Sequence, residues 1–392
     1  MTLLEHAKKL FEKLKKIRRQ IHKSPESGFD LPNTTALIKS VLDEYNIKYE
    51  HLGDTYAIVG SLGDSKKGKT VLLRADMDAV NVNEESGLDF AAKNSKAHLC
   101  GHDIHTTSLI ATLIMLKERE SELNGEVRFL FQPAEETLNG GKLMLEKGLL
   151  DTKIDAGLAL HMWPNGEKTG IIVQKKQVLA SALNFRIEIQ GKGAHGAMPY
   201  NGIDPVIVAS EIIGAFNIMV AHELPSNKSA SVSIGNISTP GGNVNVIPSK
   251  VILEGTTRSL FNESAKHVEK RLPEIASHIA KAYRASANFE ILASVPALVN
   301  TPEMSEMVFD SAQKILGSDY DVKYSEPELA SEDYAHIASE LPESCYFFVS
   351  CPLPNELNQI YPVHNPHVRF NEEALIIGPA TLAQAAMDFL SK

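Results

Sequence analysis

The chain of 392 residues contains few cysteines, and this bears on its cellular compartment. The three cysteines, Cys100, Cys345 and Cys351, are odd in number and widely spaced. Disulfide-stabilised secreted domains instead carry an even and dense set. The sequence therefore argues against a disulfide framework and predicts a protein of the reducing cytoplasm.

Long apolar runs and basic clusters are also missing. No stretch approaches the roughly 20 apolar residues of a membrane span. The N-terminal segment MTLLEHAKKLFEKLKK is too charged to be a signal peptide. The net charge is −10 and the basic residues are dispersed, which disfavours binding to nucleic acid. We therefore expect neither a membrane nor a nucleic acid as a partner.

The first part of the chain alternates apolar strands with helical stretches. The pattern predicts strands over 70–80, 126–136 and 156–164 and a helix over 105–123. Near-continuous apolar strands joined by helices indicate an α/β fold, with a mixed, largely parallel sheet covered by helices on both faces. Polar residues follow the carboxyl end of each strand, where such sheets place their ligands.

A different pattern occupies residues 181–294. Apolar residues alternate there with period two, which is typical of half-exposed strands, and two amphipathic stretches interrupt them. The order βαββαβ predicts an inserted α+β domain with an antiparallel sheet and helices on one face. Because the first pattern resumes afterwards, we predict a discontinuous first domain of residues 1–180 and 295–392.

The run HLCGHDIHT places Cys100, His102, Asp103 and His105 within six positions. Thiolate, imidazole and carboxylate groups bind borderline-soft divalent metals. Cys100 and His102 can reach one ion only if the backbone turns sharply, and Gly101 lies between them. By itself the cluster is weak evidence, because a chain with 14 histidines places many of them on the surface or in the core.

Further candidate ligands follow other predicted strands. The set comprises Asp76 and Asp78, Cys100 and His102, Glu135 and Glu136, His161, and His364. Each has a simpler explanation: the aspartates could form a turn, the glutamates a solvated face, His161 a core position and His364 a plain loop. Their joint occurrence at the strand ends of one sheet favours a metal site.

These motifs carry a family resemblance over nearly the full length of the chain. The stretches concerned are RRQIHKSPESGF, LLRADMDAVNVNEESGLDF, HLCGHDIHT, FQPAEET, ALHMWPNGEKTG, GKGAHGAMPYNGIDP, NVNVIPSKVILEGTTRS, ASEDY and HNPHVRFNEEAL. The chain resembles the aminoacylase/carboxypeptidase-type dinuclear metallohydrolases. Within them it is similar to the amidohydrolase branch of hippurate hydrolase, indole-acetyl-amino-acid hydrolase and N-acetyl-diaminopimelate deacetylase. It departs from that branch at Ala97, Leu99 and Tyr334, and the branch itself has cysteine where related ones carry a bridging aspartate.

The resemblance implies two divalent ions per chain, Mn²⁺ or Zn²⁺. Cys100 would bridge them, His102 and His161 would complete the shell of one ion, and Glu136 and His364 that of the other. Asp78 and Asp103 would support the site without binding metal, and His105 has a similar implied role.

The resemblance also implies catalytic and substrate-binding roles. Glu135 would act as the general base, and His195, in the inserted domain, would stabilise the charge that develops on the substrate. Asn245 and Arg258, on adjoining strands of that domain, would bind the substrate carboxylate. The inserted domain would then serve as a lid that closes over the metal centre, and as a dimerisation domain.

The implied function is hydrolysis of the amide bond of an N-acyl-L-amino acid or a short peptide, by a homodimer that pairs through residues 181–294. One alternative is a dipeptidase or carboxypeptidase of the same architecture. A second alternative is a metal-binding protein that has lost its catalytic activity, which predicts loss of the base or of a ligand.

Overall fold

The computed structural model describes residues 1–354 and 360–392, which divide into two compact units. Unit 1 comprises Met1–Val178, Val299–Glu326 and His336–Lys392; unit 2 comprises Leu179–Leu298 and Pro327–Ala335. The predicted division differs from these units mainly at residues 327–335, which it assigned to the first domain. A hydrogen bond from the backbone N–H of Ala180 to the Ala330 carbonyl, at 2.8 Å, ties this segment to unit 2.

Helices and strands alternate along the described chain. The helices are α1 (Leu3–Lys23), α2 (Pro32–Glu44), α3 (His102–Lys117), α4 (Gly140–Glu146), α5 (Pro205–Glu223), α6 (Asn262–Ala282), α7 (Pro302–Leu316), α8 (Tyr334–Glu340) and α9 (Ala374–Leu390). The strands are β1 (Tyr49–His51), β2 (Ile58–Gly63), β3 (Lys69–Asp76), β4 (Gly125–Gln132), β5 (Ala156–Trp163), β6 (Gly170–Val173), β7 (Gln177–Leu179), β8 (Ser181–Gln190), β9 (Ala194–His195), β10 (Ser231–Ser238), β11 (Val246–Ile247), β12 (Lys250–Ser259), β13 (Ser286–Val295), β14 (Leu298–Val299), β15 (Asp321–Tyr324) and β16 (Glu343–Ser350).

Unit 1 is built on an eight-stranded sheet in the order β1-β2-β4-β3-β5-β16-β6-β15. Its centre is parallel, because β3 pairs in parallel with β4 and β5, and β5 with β16. Strands β1, β2 and β6 add antiparallel pairs. Helices α1, α3, α7 and α9 pack on one another and cover the sheet. The predicted mixed sheet of an α/β fold is confirmed.

The predicted element ends needed correction. Strand β3 ends at Asp76 and β4 at Gln132, so Asp78, Glu135 and Glu136 all lie beyond their strands. Helix α3 begins at His102, not at residue 105, and ends at Lys117. Residues 102–116 are buried on every side of this helix, so no amphipathic period marks its ends. Strands β3 and β4 therefore end just before candidate site residues.

Unit 2 contains a four-stranded antiparallel sheet in the order β10-β12-β8-β13. Along the chain its elements run β8, α5, β10, β12, α6, β13, with the short antiparallel pair β9 and β11 inserted. The inward side chains of the sheet pack against α5 and α6 in a separate core that includes Phe185, Phe216, Leu253 and Leu272.

Helix α5 corrects the expectation that no apolar run approaches a membrane span. Its 19 residues are long and apolar enough to cross a membrane by length and composition alone. Val208, Ile212, Phe216 and Met219 nevertheless face the core of unit 2. Only a third of the apolar stretch of this helix is buried, so apolar side chains of α5 also lie at the surface of unit 2.

Candidate metal centre

A sharp turn brings Cys100 and His102 together. Gly101 between them adopts the left-handed conformation, with φ of 91°. A Cβ atom at this position would lie 3.0 Å from the Cβ of Met162, so glycine meets both the conformational and the steric requirement. His102 then forms the first turn of α3. The expected turn at Gly101 is therefore present.

Two imidazoles present the same nitrogen to the site. The Nδ1 atom of His102 lies 2.8 Å from the Asp78 carbonyl, and that of His161 lies 2.7 Å from the Met162 carbonyl. Because a carbonyl can only accept, Nδ1 carries the hydrogen in both rings, which leaves Nε2 as the atom that a metal would take. This is the usual arrangement of metal-binding histidines. The Nε2 atom of His161 lies 3.3 Å from the Cys100 Sγ.

Glu136 and His364 approach Cys100 from other segments. The Oε1 atom of Glu136 lies 3.3 Å from Nε2 of His364. His364 has a left-handed backbone, with φ of 67°, and its N–H donates to the Leu99 carbonyl at 2.9 Å. This hydrogen bond ties the C-terminal segment to the residue before Cys100.

The ligand atoms form two groups that share one member. Donor atoms of Cys100, His102 and His161 all lie within 4.8 Å of one another, and so do those of Cys100, Glu136 and His364. These sets have the members that the resemblance implies for the two ions, and Cys100 is the residue that they share. The residue types suit Zn²⁺ or Mn²⁺.

Buried polar atoms test whether a cation fits this cluster. The Nε2 atom of His102 and the Oε1 atom of Glu136 are buried and make no hydrogen bond of good geometry with a described residue, although Oε1 of Glu136 lies within ion-pair distance of His364. Leaving such atoms unsatisfied costs free energy, so buried polar groups normally have partners. A cation held by each ligand group would satisfy these atoms, and the cluster therefore fits a metal.

The electrostatics of the cluster also favour a cation. Burial lowers the pKa of His161 well below its usual range, which keeps the ring neutral, as a ligand must be. Burial opposes protonation of His102 as well, but the acidic groups of Asp76 and Cys100 outweigh it and raise its pKa well above the usual value. Burial, together with Glu136, raises the pKa of the Cys100 thiol. A positive charge placed here would stabilise the thiolate.

Glu135 lies beside the ligand groups. It is the first residue of a 3₁₀ turn that follows β4, and it is buried. Its Oε2 atom lies 3.9 Å from Nε2 of His102. The Asp78 carboxylate accepts the backbone N–H groups of Glu135, at 2.9 Å, and of Glu136, at 3.2 Å. Asp78 thus fixes the turn that carries both glutamates.

Asp103 faces away from the ligands, toward helix α1. Its Oδ2 atom lies 2.7 Å from both the Arg18 Nε and the His22 Nδ1. Burial raises its pKa, but Arg18 and His22 outweigh that effect and keep the carboxyl ionised. The predicted supporting role therefore takes the form of a buried link between α1 and the start of α3. Arg18 and His22 lie in the motif RRQIHKSPESGF, which was part of the resemblance but carried no assigned role.

The other predicted residues belong to unit 2. His195 pairs with Val246 across β9 and β11, and its Nδ1 accepts the Ala197 N–H at 3.1 Å. The Asn245 carbonyl accepts the Gly196 N–H at 2.8 Å, so Asn245 lies in the same ribbon. Arg258 is half-buried on β12, donates to the Thr257 carbonyl at 2.8 Å, and forms no ion pair with a described residue.

The prediction that Asn245 and Arg258 lie on adjoining strands is wrong. The strand that follows Asn245, β11, pairs with β9, whereas Arg258 lies opposite Ser231 and Ala182 in the larger sheet. Pro248 separates the two strands, and proline cannot donate to a ladder.

The parallel sheet, the two ligand groups and the buried glutamate are features of a metal-dependent hydrolase. The chain belongs to peptidase family M20/M25/M40, whose family model matches residues 72–388. It is 33% identical to an N-acetyl-L-cysteine deacetylase of Bacillus subtilis over 375 residues, which cover 95% of this chain and 87% of the relative. It is also 33% identical to a hippurate hydrolase of Campylobacter jejuni over 394 residues, 100% of both chains.

Two further comparisons bear on activity and metal content. A thermostable carboxypeptidase of Saccharolobus solfataricus is 33% identical over 382 residues, which cover 96% of this chain and 95% of the relative. A crystal structure from Bacillus subtilis, described as a dinuclear metal-binding peptidase of family M20, matches with a TM-score of 0.82 and 29% identity, covering 98% of this chain and 99% of that one. The resemblance to the amidohydrolase branch is confirmed, and the protein is a metal-dependent hydrolase of amide bonds. The alternative of a catalytically inactive binding protein is thereby dropped.

Proposed function

We propose that the protein is a two-metal amidohydrolase that releases an L-amino acid from an N-acyl amino acid. The observation that carries this proposal is that Cys100 belongs to both ligand groups, while the buried Glu135 lies 3.9 Å from the ligand His102. Family membership and the deacetylase and hippurate hydrolase relatives support the substrate class.

In this proposal Cys100, His102, His161, Glu136 and His364 hold two ions, either Zn²⁺ or Mn²⁺. Bound divalent ions supply Lewis acidity toward the amide carbonyl and acidify water. Glu135 accepts a proton from the attacking water and then returns it to the leaving nitrogen. Asp78 keeps Glu135 in place through the hydrogen bond to its backbone.

Unit 2 supplies the remaining groups in this proposal. His195 donates a hydrogen bond to the oxygen on which negative charge develops. Arg258, assisted by Asn245, binds the carboxylate of the substrate, for which a guanidinium offers a planar pair of donors. The absence of an ion pair between Arg258 and any described residue leaves its charge available for an anionic ligand.

A dipeptidase or carboxypeptidase activity is the alternative, and the carboxypeptidase relative favours it. Steady-state kinetics on a panel of N-acyl amino acids and unblocked dipeptides, after reconstitution with metal, separate the two activities. We expect higher kcat/KM on the N-acyl compounds, with Glu135→Ala as the inactive control. Preference for unblocked dipeptides would contradict the proposal.

We also propose that the protein acts in the cytoplasm as a homodimer that pairs through unit 2. Ile207 and Ile218 of α5 are 50% and 62% exposed, and Ile237 on the edge strand β10 is 55% exposed. Exposed apolar faces and open strand edges favour pairing with a second copy. Light scattering should report a dimer that Ile218→Glu weakens and Tyr283→Ser, on the exposed end of α6, leaves intact. A monomeric wild-type chain would contradict the dimer.

A further inference from the structure

Strand β5 loses one of its neighbours just before it reaches the metal cluster. The parallel ladder between β3 and β5 ends at the pair of Arg74 and Ala159. On the other side, β16 accompanies β5 as far as Trp163. Beyond residue 159, the backbone N–H and C=O groups of β5 that point toward β3 therefore find no partner on that strand. These groups lie in a buried segment. Buried backbone groups without partners are rare because they are costly.

At Met162, two imidazole rings take the place of the missing strand and form hydrogen bonds with the backbone groups. The Met162 N–H donates to Nε2 of His105 at 2.8 Å, and the Met162 carbonyl accepts from Nδ1 of His161 at 2.7 Å. The rings of His105 and His161 lie with their centroids 4.5 Å apart. The peptide groups of Met162 thus link the ring of His105 to the ring of a proposed metal ligand.

Asp76 determines which nitrogen of His105 can accept. An N–H can only donate, so Nε2 of His105 must be unprotonated and Nδ1 must carry the hydrogen. The Oδ1 atom of Asp76 lies 2.7 Å from that Nδ1 and accepts it. The other carboxylate oxygen of Asp76, Oδ2, accepts from Arg74 at 2.8 Å. Asp76 and His105 are both fully buried, so solvent does not compete for these hydrogen bonds.

We infer that the Asp76–His105 pair positions His161. The His105 ring accepts the Met162 N–H in place of the missing β3 partner, and the fixed Met162 carbonyl then holds the His161 ring with Nε2 toward Cys100. This inference rests on the proposed metal centre. It assigns Asp76 and His105 to neither ligand group, and it explains why both are buried beside the ligands. Histidines that bind metal commonly depend on such outer contacts, whose loss weakens metal affinity by about 10–100-fold.

Asp76→Asn tests the inference with little change in shape. The Arg74 guanidinium can only donate, so the side-chain oxygen at position 76 must face Arg74, and the side-chain NH₂ must face His105. The ring then accepts at Nδ1 and carries its hydrogen on Nε2, where it opposes the Met162 N–H. We expect a Co²⁺ titration of the chelator-treated protein, followed by thiolate-to-cobalt absorption, to show a dissociation constant raised about 10–100-fold for one of two ions. Hydrogen exchange of the Met162 amide, observed with ¹⁵N-methionine and assigned with Met162→Leu, should accelerate selectively.

Thr106→Val is the matched control, because the Thr106 hydroxyl is equally buried and donates at 2.8 Å to the main-chain carbonyl of Asp76, not to the carboxylate that pairs with His105. It should keep wild-type Co²⁺ affinity and Met162 protection. In a folded Arg74→Met/Asp76→Asn variant the amide can turn its oxygen to His105, so affinity should recover. Equal losses in Thr106→Val, no recovery in the folded double variant, or unchanged behaviour of Asp76→Asn would overturn the inference. A wild-type chain that takes up no Co²⁺ would instead contradict the proposed metal centre.

Discussion

The Oδ1 atom of Asp78 accepts the backbone N–H of Glu135 at 2.9 Å, so a buried carboxylate holds the proposed general base through its main chain. Its Oδ2 atom accepts the next N–H, and its own carbonyl accepts Nδ1 of His102. A residue that binds neither metal nor substrate in the proposal therefore connects a ligand to the base.

Asp78→Asn should lower kcat by about 10–100-fold, the usual effect of removing a supporting contact. The two N–H groups donate to different oxygens of the Asp78 carboxylate, and the variant replaces one of these oxygens with an NH₂ donor, so the turn at Glu135 and Glu136 should shift. Kinetics with saturating metal would measure the loss. Asp64→Asn, at the exposed start of another 3₁₀ turn, is a suitable control. Wild-type kcat in Asp78→Asn would mean that the turn is held by other contacts.

Removal of metal should abolish activity, and the purified protein should hold up to two Zn²⁺ or Mn²⁺ ions per chain. Cys100→Ala should lower the metal content measured by elemental analysis, because both ligand groups lose their shared member. Cys351→Ala removes a buried thiol outside these groups and should leave the metal content unchanged. Equal metal content and activity in Cys100→Ala and the wild type would remove Cys100 from the site.

Glu135→Gln should keep metal content near that of the wild type and lower kcat on the order of 10²–10⁴-fold, the range for loss of a general acid–base group. The amide preserves the size of the side chain but cannot accept the proton. Glu146→Gln, at the exposed end of α4, is the control for effects of a Glu-to-Gln substitution that do not involve the site. A Glu135→Gln enzyme with most of its kcat would show that another group is the base.

Two buried thiols should make the protein less stable at high pH. Burial raises the pKa of Cys345 to about 12 and that of Cys351 to about 12, above the value of about 8.5 in an unfolded chain. Both thiols stay protonated in the folded state while the unfolded state loses its protons. Their contribution is therefore fully present below about pH 8.5 and is lost as the pH rises toward 12, by about 1.4 kcal/mol per pH unit for each thiol.

Urea unfolding between pH 7 and pH 10 would measure this slope. Cys345→Ala and Cys351→Ala should each flatten it, although each variant starts from a lower stability at pH 7. An unchanged slope in both variants would assign the pH dependence to other groups. In the folded protein at neutral pH, neither thiol should react with an alkylating reagent.

The sequence predicts the parts of this protein that leave a periodic or local signal. Period-two alternation predicts the strands of residues 181–294 closely, because side-chain alternation reports burial directly, whereas the apolar runs of the larger sheet predict its strands but not where they end. Helix α3 was misplaced at both ends because it is buried on all sides and has no polar face. The order of motifs identified the family, which the comparisons confirm.

Contacts between distant segments left no such signal. Asp103 and His22 of helix α1 are 81 positions apart in the sequence. A histidine and an aspartate at that separation do not by themselves predict a contact. The pairing of β11 with β9, which separates Asn245 from Arg258, joins segments about 50 residues apart, and strands of two residues leave no period in the sequence. The roles of His195, Asn245 and Arg258 remain predictions.

The position of His364 in the chain has a consequence for biosynthesis. The first ligand group draws on residues 100–161, but the second needs a histidine that follows the whole of residues 179–298. Until residue 364 has been synthesised, the second group lacks one of its three members. Contacts of such long sequence separation form late in folding. In the proposed centre, completion of the second ligand group would therefore follow closure of the discontinuous unit 1.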